Sequence, residues 1–238
     1  IIYYENILSV VSILGTAKYG FNKEPRVRHI VYGYMISSLH LLVIGIPLYL
    51  GYFVRIVSGR SDGKYQESPP QYTPLYPMAI DGVYAFLLAA GTFGVPFVGS
   101  AVISGFLTNS TLPSNSIQFR IAIFALAVLL IIGLVGTYVY PAVISVYSVS
   151  HNWKDSYDFN TIRNITFRRD YLILYLKFTF VNILLGFLTS LAIESIILLP
   201  VAALFMFVYA NVLGVLIGDF ALKNKQLLTQ DSDRDDTN

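Results

Sequence analysis

The sequence has no cysteine, one tryptophan, three methionines and three histidines. Without cysteine the chain has no disulfide, no thiolate metal site and no thiol nucleophile, and its redox compartment stays open. Charge is scarce too: 13% of residues are charged, against about 25% in a soluble domain. The net charge is +2, and the basic residues lie between apolar runs rather than in one patch, which argues against a nucleic-acid partner. No initiator methionine and no basic-then-apolar leader open the chain, so its start reads as that of a fragment.

In place of charge the chain has apolar surface. Hydrophobic residues make up 55% and the mean hydropathy is +0.62. There are 18 tyrosines and 16 phenylalanines, and many tyrosines close apolar runs, as in an interfacial aromatic belt. The runs are too long for membrane strands and do not alternate. The expected fold is all-α, a polytopic transmembrane helical bundle of five spans, or six, with interfacial amphipathic helices.

Three regions follow. Residues 1–28 are an amphipathic N-terminal segment, 29–218 the transmembrane domain, and 219–238 a polar, acidic tail expected to be disordered. The first run, His29–Val57, exceeds the roughly 20 residues that cross the hydrocarbon. It reads either as one span kinked at Pro47 or as a re-entrant pair of half-helices. Further spans are expected at Val83–Leu107, Phe119–Val149, Tyr171–Leu191 and Ile196–Gly218. Between them Asp158 is a candidate N-cap for a short interfacial helix carrying Phe159, Ile162 and Ile165.

The connectors around 55–64 and 154–169 are basic, while the loop after the second span has only Arg120. The positive-inside rule puts both basic connectors in the cytoplasm. Lys18, Lys23, Arg26 and Arg28 then fall outside unless the first run is re-entrant.

Residues that could carry chemistry are few. Asn182, Gly186, Ser190 and Glu194 are spaced by four and form one small, polar stripe on the fourth span. Ala210, Gly214 and Gly218 form a matching stripe on the fifth, with Asn211 beside it. Such stripes pack helices together in lipid, here with Asn182 bonding Asn211. Alternatively they mark a polar path for an ion or headgroup. His40 stands mid-run without a ligand at helical spacing, a poor metal site. Asp81-Gly82 resembles the start of the CDP-alcohol phosphotransferase signature, but the further Asp residues that hold metal are missing. Gly218-Asp219 resembles an intramembrane aspartyl protease, but no second Asp shares its proton. No catalytic residue, cofactor or metal is expected.

One stretch carries a family likeness. Pro47, Gly51-Tyr52, Val54-Arg55, then Pro69-Pro70 and Asp81-Gly82, resembles the prokaryotic membrane family known as domain of unknown function 4013. Tyr140-Pro141-Ala142, Asp158-Phe159-Asn160 and Arg169-Asp170-Tyr171 agree with it. The chain departs from the family at Gln71–Tyr76, where an acidic-aromatic run often precedes Asp-Gly. The resemblance implies a helical membrane fold of archaeal or bacterial type and no reaction.

The expectation is therefore a multi-pass protein of the cell membrane, without enzymatic activity, serving as a structural or partner-binding subunit. The alternative is a small transporter or lipid-handling protein that uses Asn182, Ser190, Glu194 and Asn211. Its partners are membrane lipids and, beyond them, another protein or a second copy.

Overall fold

The computed structural model describes residues 19–21, 26–41, 45–65, 68–109, 113, 116–193 and 198–229. Among these every regular element is helical. They are α1 (Arg26–Leu41), α2 (Ile46–Ser61), α3 (Leu75–Ala89), a π-turn (Ala90–Gly94), α4 (Val95–Asn109) and α5 (Ile117–Ser150). A 3₁₀ turn (Asp155–Tyr157) leads to α6 (Phe159–Thr166), α7 (Arg169–Ile193), α8 (Leu199–Lys223) and α9 (Lys225–Thr229). Among the described residues four helices are long and apolar enough to cross a membrane: Leu75–Asn109, Ile117–Ser150, Arg169–Ile193 and Leu199–Lys223.

Of the two readings of the first run, one kinked span or a pair of half-helices, the structure has the second, a hairpin. It divides into two helices of 16 residues each, short of the roughly 20 needed to cross. Pro47 is the physical reason: it stands at the start of α2, where its missing N–H costs nothing because first-turn N–H groups have no carbonyl partner within the helix. The residue expected to kink a span begins a new helix. The chain reverses here, since His29 meets Tyr52 while Leu39 and Leu48 border one cavity. At its far end α2 stops at Asp62, and Gly63 follows in the left-handed conformation at φ 73°, a common helix stop.

Local chemistry accounts for the other boundaries. Ser116 caps α5 by accepting from the Phe119 amide. Asp158 caps α6 by accepting from the Thr161 amide at 2.8 Å, and Ile162 and Ile165 are the buried face of that short helix. The π-turn has its own cause. Pro96 has no N–H for the Thr92 carbonyl four residues earlier. That carbonyl faces Gly136 of α5 so closely that a Cβ there would lie 1.9 Å from it. Gly99, Gly133 and Gly136 make the close contacts between this span and α5, while Gly105 has open space around it.

The core gathers around α8. Of its apolar window 67% is buried, against 11–17% in the other three spans. One apolar cluster joins Phe53, Val54 and Val57 of α2 to Leu88, Ile144, Tyr147, Tyr171 and Ile217. A second joins Ile36, Tyr49, Tyr52, Tyr72, Met78 and Val215. Large side chains such as Val98, Val102, Phe106, Phe124, Ile131 and Phe187 remain on the outside, the surface lipid covers. α8 runs past Gly218 to Lys223, and Leu228 of α9 is buried, so helical, packed structure extends into the expected polar tail.

Candidate functional site

The family-like residues are packing devices at one helix crossing. A Cβ on Gly51 would lie 1.6 Å from the Met78 carbonyl oxygen, and one on Gly82 the same distance from that of Pro47. Two backbones therefore touch, α2 against α3, and only glycine fits. Arg55 closes this crossing by donating to the carbonyls of Gln71 (3.2 Å) and Pro74 (2.6 Å) in the connector. Tyr52, fully buried, donates to Asn211 Oδ1 at 3.1 Å and stacks on Tyr72 with centroids 4.5 Å apart. His29 Nε2 lies 3.3 Å from the Tyr52 hydroxyl and 3.4 Å from that of Tyr72. The result is a buried polar knot joining α1, α2, α8 and the connector.

This knot corrects the pairing expected for the last two spans. Asn211 bonds Tyr52 and the Phe207 carbonyl, whereas Asn182 accepts from the Tyr209 hydroxyl and donates to the Phe178 carbonyl. The two asparagines share no partner. Nor do the two stripes face each other. Gly214 lies against Ile56 and Gly218 against Arg60, so the α8 stripe packs on α2. On α7 the buried positions are Tyr171, Leu174, Val181, Thr189 and Ala192. Gly186 has open space around it and Ser190 is exposed. The spacing of four was real, but the apolar face carries the packing. Glu194 and the His40 side chain lie outside the described residues.

Asn182 instead borders a cleft of about 510 Å³ between the hairpin and the spans. Its walls include Phe53, Phe93 of the π-turn, Phe97, Leu134, Phe178 and Leu213. Its polar groups are the Asn182–Tyr209 pair and the hydroxyl residues Tyr49, Thr137, Tyr140, Tyr175 and Thr179. Tyr49 donates to the Met206 carbonyl at 2.9 Å. The sequence held one signal for this site: Tyr209 is mid-run, where an interfacial belt does not place tyrosine.

Where the connectors meet, a polar layer unites distant segments. Arg60 holds Asp219 through Nε at 2.8 Å and a second contact from Nη2, and its guanidinium lies over the Tyr19 ring. Lys225 bonds Asp62 at 2.7 Å. Together Lys225 and Lys64 hold the Asp62 carboxyl below its usual range by donating to it. His151, left-handed at φ 52°, reaches Ser58 Oγ at 3.2 Å and stands 3.8 Å from Asp81. The Asp81 carboxylate raises its pKa, with burial opposing. Among the described residues no three His, Asp or Glu gather as a metal site would require.

Four apolar spans around a short helical hairpin, with bare apolar flanks and a polar layer where the connectors meet, define a polytopic helical membrane protein. The chain belongs to the family described as Protein of unknown function (DUF4013), whose profile matches residues 34–193. No curated protein and no solved structure matches it.

Proposed function

We propose that this is a non-enzymatic, lipid-handling protein of the cell membrane, which receives an apolar chain in the cleft beside Asn182 and Tyr209. The observation that carries the reading is the composition of that cleft. Its described lining is aromatic and aliphatic, with amide and hydroxyl groups and no carboxylate, imidazole or ammonium. Such a wall attracts an apolar molecule and offers one polar pair to orient it. It has no group suited to take up a proton near neutral pH. The polar layer, with its excess of Arg and Lys, faces the cytoplasm.

The test is native mass spectrometry of the purified protein released from membranes, with Thr179→Trp as the cleft-filling variant. The wild type is expected to carry bound lipid at a defined stoichiometry, and the variant to lose most of it at unchanged melting temperature. Equal lipid on both would overturn the cleft reading. A second reading, a partner-binding subunit, is favoured by the apolar flank of α4 and α5, where Val98, Val102, Phe106 and Phe124 are all more than half exposed. In that case the same spectra would show a protein adduct instead of lipid.

A further inference from the structure

A second cavity, of about 450 Å³, lies apart from the cleft, between α1, the start of α2 and the connector before α3. It has two unlike ends. Met35, Ile36, Leu39, Leu48 and Leu75 make an apolar trough, while Arg28, His29, Gln71 and Thr73 gather polar groups on its border. Arg28 lies over the Tyr32 ring with Cζ 5.5 Å from the centroid, and among the described residues no carboxylate pairs with it. No acidic residue lines the cavity among those described.

Gln71 and Thr73 also line a polar pocket of about 410 Å³ with Arg55, Lys64 and His151, so two pockets adjoin across this connector. The carboxylates on that side are already engaged: Asp62 with Lys225 and Lys64, Asp81 with His151 and the Tyr147 hydroxyl.

The geometry points to a binding site for an anionic phospholipid, its phosphate at Arg28, Gln71 and Thr73 and one acyl chain along Ile36, Leu39 and Leu48. A guanidinium held over an aromatic ring keeps N–H groups for a phosphate, which it recognises through two parallel bonds. Cationic pockets between helices at a cytoplasmic membrane face bind lipid headgroups in the same way. The trough selects a lipid over free phosphate, because a soluble anion would leave five apolar side chains uncovered. The site is separate from the cleft beside Asn182 and does not depend on it.

The test uses the full chain in nanodiscs containing equal amounts of phosphatidylglycerol and phosphatidylcholine with identical acyl chains, followed by native mass spectrometry of the retained lipid. The wild type is expected to retain phosphatidylglycerol at least fivefold over phosphatidylcholine. Arg28→Gln should bring the ratio to unity, Arg28→Lys should keep part of it, and Ile36→Trp should lower retention of both lipids. Thr179→Trp, which blocks the cleft, should leave the ratio unchanged. No preference in the wild type, or a preference that survives Arg28→Gln, overturns the proposal. So does loss of the ratio in Thr179→Trp, which would place the lipid in the cleft and leave that reading standing. Displacement of the lipid by millimolar inorganic phosphate would show a free-anion site instead. If Arg28→Gln does not fold, the wild-type ratio and Ile36→Trp decide the matter.

Discussion

Gly51 and Gly82 allow α2 and α3 to touch through their backbones, and each would drive a methyl group into a carbonyl 1.6 Å away. The obstacle is backbone rather than the end of a flexible side chain, so relief requires the helices to part. Overpacking of this kind costs about 1–3 kcal/mol and sometimes more. Gly51→Ala and Gly82→Ala should each fall at or above the upper end of that range in reversible unfolding in mixed micelles. Because both act on one crossing, the double variant should cost less than their sum. Asn182 and Asn211 are expected to behave in the opposite way. Each has its own tyrosine partner, so Asn182→Leu and Asn211→Leu should add to within about 0.5 kcal/mol. Asn211→Leu is the more costly, about 1–3 kcal/mol, because it removes the Oδ1 acceptor of the fully buried Tyr52 hydroxyl and leaves that group to His29. A coupling well above 0.5 kcal/mol would show that the asparagines meet after all.

At the scale of elements, the left-handed His151 at the end of α5 ties the third connector to α2 and α3 through Ser58 and Asp81. Its pKa is raised in the folded protein by Asp81. A raised pKa means stability that is fully present below the unfolded value, about 6.5, and lost as pH rises through the folded value. Melting temperature should therefore exceed that of His151→Asn at pH 5.5, and the two should converge above the folded pKa. Asparagine is the right control because it tolerates the left-handed backbone. A constant gap across this range would mean that the imidazole acts by packing alone. The π-turn works at the same scale: Pro96 removes the donor that the Thr92 carbonyl needs, and Gly136 lets α5 approach that carbonyl. The turn thereby sets Phe93 on the cleft wall, opposite Asn182 and Tyr209.

For the whole molecule the hairpin decides the topology. With α1 and α2 returning to the side they left, the described residues hold four spans, and Arg28 and His29 at the start of α1 lie beside the basic connector before α3. A single first span would put them across the membrane. The chain has no cysteine, so single-cysteine variants need no background changes. Arg28→Cys, Asn152→Cys and Lys225→Cys should react with a membrane-impermeant maleimide from the cytoplasmic side, and Asn109→Cys only from the other. Labelling of Arg28→Cys and Lys225→Cys from opposite sides would restore the five-span arrangement.

The sequence alone determined the helical membrane class, the last four spans (though the first of these begins at Leu75 rather than Val83), the cap at Asp158 and the likeness to the family. Each of these rests on composition, run length or a cap signature, which act over one turn or one span and are visible along a chain. Asp81-Gly82 and Gly51 were legible as a motif, and their cause was not, because a glycine's purpose lies in the backbone that faces it. Tertiary structure alone decided that Pro47 starts a helix, that the α8 stripe faces α2, that Asn211 belongs to Tyr52, and that Asn182 borders a cleft with Tyr209. Helical periodicity says which residues share a face, but the neighbour on that face is chosen by packing across distant segments, which no local pattern encodes.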